Sequence, residues 1–224
     1  MSYLLLILLL LLPVPSWATE TQVAADTFSG GDGGLGGNWT TVSGMGNPTV
    51  ASGVVQPASA GGSGSEAIYS AGTFADNQYA QQTVVKAITA TNRVVSLVLR
   101  GITASRTMYE CRILGPLGAT ATINIIRLNA GTPTTLATTS ADQTVNVNDV
   151  HKCTVVGSTI KSYINGSEKL SIDDGTPISS GKPGVMIFSS GAVGDTQLDT
   201  WSAGDITSDT TTPQSMGFLG TIIK

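Results

Sequence analysis

Short runs of alternating apolar and polar residues recur along the chain, separated by Gly, Asn, Asp and Pro. A period of two predicts strands with one buried face, and we find no sustained run of apolar residues at helical spacing. The runs recur roughly every ten to fifteen residues, which is typical of a sandwich of two antiparallel sheets. The clearest runs are residues 78–86, 93–100, 108–114, 122–128, 153–156, 159–164, 169–172 and 184–188.

One turn is marked by an Asn-Gly pair. Asn165-Gly166 separates two of these alternating runs, and Asn-Gly favours the positive φ angles of a tight hairpin. The sequence therefore predicts that the flanking runs are adjacent antiparallel strands.

The chain begins with an apolar segment. The stretch from Leu4 to Val14 is almost purely Leu and Ile, and small residues follow at Ser16 and Ala18. This pattern predicts a signal peptide over residues 1–18, cleaved after Ala18 and too short to span a bilayer. No Lys or Arg precedes the apolar run, so an uncleaved anchor is the alternative. We expect one domain over residues 19–206, a tail over 207–224, and no membrane span after cleavage.

Charge and composition exclude one class of partner and indicate where the protein acts. The formal net charge is -4, only 12% of residues are charged, and the 11 Lys and Arg are scattered. Nucleic acid is therefore excluded as a partner, because phosphate neutralisation needs clustered basic residues. Together with the apolar N-terminus, the composition predicts a secreted or cell-surface protein.

The chain has two cysteines, Cys111 and Cys153, both in strand-like runs. Because secretion leads to an oxidising compartment, we predict a disulfide between them. Two buried free thiols are the alternative.

Several landmarks occur in order between residues 26 and 205. Among them are Asp26-Thr27-Phe28, Asn38-Trp39, Tyr109-Glu110-Cys111-Arg112, Gly181-Lys182-Pro183-Gly184 and Leu198-Asp199-Thr200-Trp201. Together they resemble the concanavalin A-like lectin and glucanase superfamily, specifically its laminin-G-like, non-catalytic jelly rolls. The resemblance implies an all-β jelly-roll sandwich with neighbouring first and last strands. It does not specify a function, because this fold serves many.

The residues needed for catalysis are missing. Hydrolases of this superfamily carry Glu-x-Asp-x-Glu on one strand, and glycoside hydrolysis generally needs two carboxylates facing one groove. None of the four glutamates has an acidic residue two or four positions away on its strand. The single histidine, His151, is interpreted as a surface residue at a strand edge. We therefore expect no enzymatic activity.

Calcium is the one metal ion that the sequence leaves open as a ligand. No Cys-x-x-Cys or His-x-x-x-His spacing occurs, which excludes zinc. Carboxylates suit calcium, and pairing of the terminal strands would bring together aspartates, of which Asp26 and Asp199 are the main candidates. Solvated turn aspartates are the alternative, and no other cofactor is expected. The full set is Asp26, Asp195, Asp199 and Asp205.

A sugar site needs exposed aromatic faces with polar groups around them. The tryptophans after the apolar segment, Trp39 and Trp201, occupy positions where the family packs aromatic residues into the core. Strand alternation places Lys161 and Tyr163 together on one face. The predicted ligand-binding residues are Arg100, Tyr109, Lys161 and Tyr163.

Two functions remain. The first is a non-catalytic module that binds a polysaccharide, a cell-surface glycan or another surface partner. The alternative is a structural subunit that polymerises into an extracellular filament, its apolar tail adding as a strand to a neighbour's sheet. The tail could equally be the domain's own last strand. The tail residues proposed for assembly are Phe218, Leu219, Ile222 and Ile223.

Overall fold

The computed structural model describes residues 18–62, 64–87, 92–118, 120–140 and 143–208. This part of the chain is almost entirely β-structure, with one 3-10 helix at Val193–Asp195. The strands are β1 (Ala18–Asp26), β2 (Gly33–Gly34), β3 (Trp39–Thr41), β4 (Thr49–Ala51), β5 (Val54–Gln56), β6 (Ser65–Tyr69), β7 (Gln78–Ala87), β8 (Arg93–Ile102), β9 (Thr107–Leu114), β10 (Thr122–Asn129), β11 (Thr132–Thr138), β12 (Val150–Val156), β13 (Thr159–Ile164), β14 (Ser167–Asp173), β15 (Lys182–Ser189) and β16 (Thr196–Ser208).

The strands form two antiparallel sheets. Sheet A has the order β14-β13-β12-β7-β16-β5-β4-β2, and β1 also pairs with β16. Sheet B has the order β11-β10-β9-β8-β15-β6-β3. The predicted all-β jelly-roll sandwich is confirmed, because each of the eight runs identified by alternation lies within an observed strand.

The terminal strands are neighbours, as the resemblance implies. β1 pairs with β16 from Ala18 opposite Ser208 to Asp26 opposite Trp201. Gly204 permits this close approach, because a Cβ atom there would lie 2.0 Å from the carbonyl oxygen of Thr21.

The predicted hairpin is also confirmed. β13 and β14 are paired antiparallel, with Ile164 opposite Ser167. The two turn residues, Asn165 and Gly166, have φ values of 50° and 76°. Only residues that tolerate the left-handed region fit such a turn.

The main core lies between the sheets and contains an aromatic cluster. Trp201 is 1% exposed and Trp39 is 8% exposed. Their ring centroids are 4.7 Å apart, and each ring lies 5.3 Å from Tyr69. The prediction that both tryptophans are core residues is confirmed.

A disulfide joins the sheets. Cys111 on β9 and Cys153 on β12 are fully buried, and their Cα atoms are 6.1 Å apart. The predicted pairing is therefore present in the structure.

Sheet B also has a covered outer face. A second apolar cluster, here called the outer cluster, packs there rather than between the sheets, and it consists of Val42, Ile68, Val94, Val98, Met108, Ile126, Leu128 and Met186. Both faces of sheet B are thus buried over much of their area.

The predicted signal peptide, apart from Ala18, lies outside the described residues. The four residues proposed for assembly also lie outside them, so the filament hypothesis stays a prediction. In the described part of the chain, we find no helix with the length and hydropathy needed to cross a bilayer.

Candidate functional site

A groove crosses the outer face of sheet A, and β13 supplies its most prominent side chains. Ile160 and Ile164 are buried, whereas Lys161 and Tyr163 point outward and are partly exposed. The predicted placement of Lys161 and Tyr163 on one face is therefore confirmed. The groove has a volume of about 350 Å³ and is lined by Ala18, Glu20, Thr154, Val156, Thr159, Lys161, Tyr163 and Ile206.

Strand pairing places these residues together. Thr154 on β12 lies opposite Lys161 on β13, and Glu20 on β1 lies opposite Ile206 on β16. Because directly opposed residues share a face of the sheet, the groove runs across β13, β12, β16 and β1. Tyr79 on β7 lies on the same face, opposite both Thr154 and Gly204. Its floor is therefore part of a rigid sheet rather than a loop.

The charges in and beside the groove are arranged as two pairs. Lys161 Nζ donates a hydrogen bond to Glu168 Oε2 at 2.9 Å, and this bond raises the pKa of Lys161. Lys152 forms an ion pair with Glu20, and its Nζ lies 5.1 Å from the centre of the Tyr79 ring. Two lysines and two glutamates thus leave this surface close to neutral.

The groove brings one aromatic ring together with apolar and polar side chains. Tyr163 offers an aromatic ring, and Val156 and Ile206 add apolar surface. Lys161, Glu20 and Thr154 supply donors and acceptors for hydroxyl groups. Open clefts with apolar walls and a few fixed polar groups are typical of small-molecule sites.

The predicted surface positions of Arg100 and Tyr109 are wrong. Tyr109 is fully buried and Arg100 is 2% exposed. Tyr109 shares its inward parity on β9 with Cys111 and Ile113, and its hydroxyl is satisfied by donating to Asp174 Oδ2 at 2.8 Å. Burial is the main cause that raises the pKa of Tyr109 to about 12.

Both residues hold the segment 174–181 in place. The Ile178 N–H donates to the Tyr109 hydroxyl at 2.9 Å, and Arg100 Nη1 donates to the Ile178 carbonyl at 2.6 Å. Asp174 in turn pairs with Arg127. Arg100 and Tyr109 therefore act as positioning residues beneath this segment.

That segment borders a second cavity of about 350 Å³ at the end of sheet B. Arg127 lies in its wall and is fixed by Asp174, which is only 4% exposed. Its lining contains no aromatic residue, and consists of Ile102, Thr107, Arg127, Asn129, Thr176, Pro177, Ile178, Ser179 and Ser180.

The four aspartates considered for calcium do not converge. Asp26 accepts hydrogen bonds from the Phe28 N–H and from Trp39 Nε1, both at 2.8 Å. Within the described residues, no three His, Cys, Asp or Glu side chains form a group that could hold a metal ion. A calcium role for Asp26 and Asp199 stays a prediction. The other three aspartates accept hydrogen bonds from separate partners, Asp195 from Arg93, Asp199 from Thr200 and Asp205 from Ala75.

The interpretation of His151 as a surface residue is also wrong. His151 is fully buried on the inner face of β12, 3.4 Å from Gln82 Nε2 and 3.2 Å from Ser162 Oγ. Burial lowers the pKa of His151 to about 3, so the ring is neutral at pH 7. Its shared parity with Cys153 and Val155 is the sequence signal for this position.

A buried pair of carboxyl groups was missed by sequence reasoning. Glu66 on β6 and Glu110 on β9 are both fully buried on the outer face of sheet B. Arg106 Nε donates to Glu66 Oε2 at 2.8 Å, and Arg112 Nε donates to Glu110 Oε2 at 2.6 Å. Because the two glutamates lie 44 positions apart in the numbering, on strands separated by β8 and β15, no local motif marks them.

The architecture resembles solved carbohydrate-binding and glucanase structures. The carbohydrate-binding module CBM66 from Bacillus subtilis matches with a TM-score of 0.56 and 17% identity, covering 76% of this chain and 94% of that one. The CBM2 module of the evolved Dit of Lactobacillus casei BL23 phage J-1 gives 0.58 and 12%, with coverages of 86% and 98%. The Bacillus licheniformis β-glucanase gives 0.52 and 16%, with coverages of 83% and 98%.

These similarities show the fold. The chain has the concanavalin A-like jelly-roll fold, in agreement with the resemblance noted in its sequence. No protein-family model matches the sequence, and no curated protein matches it either.

Proposed function

We propose that this protein is a secreted, non-catalytic module that binds carbohydrate in the groove on sheet A. The observation that carries the proposal is the pairing of Tyr163 with Lys161 on one open, rigid surface beside apolar side chains. A sugar ring would stack on the tyrosine, and its hydroxyl groups would bond to the lysine and to Thr154.

The structural neighbours support this proposal. Two of them are carbohydrate-binding modules by their names, and the third is a β-glucanase. Proteins of this fold therefore include binding modules and an enzyme, and the distinction depends on the residues of this chain.

The carboxyl groups of this chain favour binding over hydrolysis. Glu110 has Met108 and Arg112 as its neighbours two positions away on the same face of β9. Glu66, the other glutamate on this face, is separated from it by the Arg106 guanidinium. A hydrolase needs one carboxyl group on each side of an accessible glycosidic bond. Glu66 and Glu110 are buried and Arg106 lies between them, so a glycosidic bond has no space between the two carboxyl groups.

The test is a binding screen of the purified protein against soluble neutral and acidic polysaccharides, followed by calorimetry on any ligand found. We expect Tyr163→Ala to weaken binding by roughly 2- to 10-fold, because contact with an aromatic ring contributes about 0.5–1.5 kcal/mol. Lys161→Ala should weaken it to a smaller extent, since Lys161 is already paired with Glu168.

A matched control is Lys86→Ala, because Lys86 is an exposed lysine on β7 that does not line the groove. It should bind like the wild type. Equal affinity of the wild type and Tyr163→Ala would place the ligand elsewhere on the molecule, and an intact protein that binds no polysaccharide would refute the proposed function.

A further inference from the structure

The outer face of sheet B contains an unusual group of buried charges. Glu66 and Glu110 each have 0% exposure. Arg106 lies between them, with Nε 2.8 Å from Glu66 Oε2 and Nη2 3.8 Å from Glu110 Oε1. Arg112 makes a second ion pair with Glu110. Two carboxyl groups thus share the charge of one central guanidinium.

The hydrogen bonds of this group are incomplete. Glu66 Oε1 and Glu110 Oε1 are buried and have no hydrogen-bond partner among the described residues. An ionised carboxylate in this state loses its hydration without full compensation. A proton on Glu66 removes both the charge and the repulsion from Glu110.

The surroundings of Glu66 contain few other charges. The titratable groups that face it are Glu110 and Arg112 from β9 and Arg106 from the β8–β9 turn. Its cross-strand neighbour on β15 is Met186, which in turn lies opposite Ser96 on β8. Burial, followed by the charge of Glu110, raises the pKa of Glu66 to about 7 despite both arginines.

The β8–β9 turn, residues 103–106, lies beside Glu66, because its Arg106 side chain donates to the Glu66 carboxyl group. The Ser43 N–H donates to the Thr103 carbonyl at 3.1 Å, which ties the turn to the chain after β3. On β8, two residues before the turn, a Cβ atom on Gly101 would lie 2.3 Å from Ile68 Cδ1, so the backbone there packs directly on the outer cluster. The Arg106 side chain, 23% exposed, completes the cover.

We propose that Glu66 is a proton-binding site that controls this turn. The closed turn buries the carboxyl group and therefore favours its neutral form. An open turn admits water and permits ionisation. The neutral carboxyl group is therefore associated with the closed turn and the ionised carboxylate with the open turn. As a result, low pH favours the closed turn and rising pH favours the open one.

Opening of the turn alters the second cavity rather than the groove on sheet A. Ile102, which directly precedes the turn, is 42% exposed and lies in the wall of that cavity. Thr107, which directly follows the turn, lies in the same wall. Protonation of Glu66 would thus change the wall of the second cavity beside Arg127. It would leave the proposed carbohydrate site on sheet A unchanged.

Amide hydrogen exchange of the purified protein tests this inference. The Ser43 amide reports the turn, because its hydrogen bond to Thr103 breaks on opening. The opening constant is the exchange rate divided by the intrinsic rate at each pH. Between pH 5 and 8 we expect the opening constant to rise by up to about 100-fold. This rise follows from the difference between the pKa of Glu66 in the closed turn, about 7, and its ordinary value of 4.5 in the open turn.

Three variants make the test specific. Glu66→Gln should abolish the pH dependence, and Glu110→Gln should shift it to lower pH because the repelling charge is lost. Asp32→Asn, which removes an exposed carboxylate bonded to the Ser52 N–H, should keep the wild-type profile. A wild-type profile as flat as that of Glu66→Gln, or a Glu66 carboxyl group that titrates near 4.5 by NMR, would overturn the inference.

Discussion

Opening the Cys111–Cys153 disulfide removes the covalent link between the two sheets. The bond joins cysteines 42 positions apart in the sequence. On the chain-entropy model, a loop of this length restricts the unfolded chain enough to contribute about 4 kcal/mol at 25 °C. We expect the reduced protein to have a free energy of unfolding lower by about that amount, which is a large part of the stability of a typical domain.

Urea unfolding of the oxidised and reduced protein measures the difference. Both cysteines are fully buried, so reduction requires prior unfolding and the reduced protein must be refolded in reductant. Tryptophan fluorescence reports the transition, because Trp39 and Trp201 lie in one core cluster. With a slope of about 2 kcal/mol per molar urea, the midpoint should fall by roughly 2 M.

The double variant Cys111→Ala with Cys153→Ala is the control for effects of the reductant itself. Its midpoint should be the same with and without reductant. If oxidised and reduced wild type differ by less than about 1 kcal/mol, the two cysteines contribute as packed side chains and the loop-entropy argument is refuted.

Two further predictions concern the terminal strands and the buried histidine. Gly204→Ala should lower the free energy of unfolding by about 1–3 kcal/mol, because its Cβ would meet the Thr21 carbonyl oxygen and displace β1. Thermal unfolding tests this against Gly175→Ala, where a Cβ meets nothing within 4 Å; equal melting temperatures would contradict it. Burial lowers the pKa of His151, so as pH falls below 6.5 the unfolded chain binds a proton that the native protein does not. Stability should fall by up to about 1.4 kcal/mol per pH unit from this group, so in urea titrations the difference in free energy of unfolding between wild type and His151→Asn should change with that slope.

The strands could be predicted because successive side chains point to opposite faces of a sheet, so a strand with one buried face alternates apolar and polar residues. In β13, Ile160 and Ile164 must face the core, so Lys161 and Tyr163 must face outward. The same reasoning would have placed Tyr109 with Cys111, and His151 with Cys153, on inner faces. Both are polar side chains at inward-facing positions, and polarity alone would assign them to the surface.

The outer face of sheet B could not be predicted from any local pattern. β8 is buried on both faces, because the outer cluster covers the side that alternation would assign to solvent. Whether a second layer covers a sheet depends on loops distant in sequence, such as the segment that brings Ser43 to Thr103. Glu66 and Glu110 become a buried pair only once that cover is in place.

The buried groups Glu66 and His151 have pKa values shifted in opposite directions, so the pH dependence of wild-type stability does not isolate either one. The pKa of Glu66 is raised from 4.5 to about 7, so its contribution to stability is full below 4.5 and is lost as pH rises through 7. The pKa of His151 is lowered to about 3, so its contribution is full above 6.5 and is lost as pH falls. Between pH 4.5 and 6.5 the two slopes have opposite signs and offset each other. Each single variant, Glu66→Gln or His151→Asn, therefore exposes the slope of the other group.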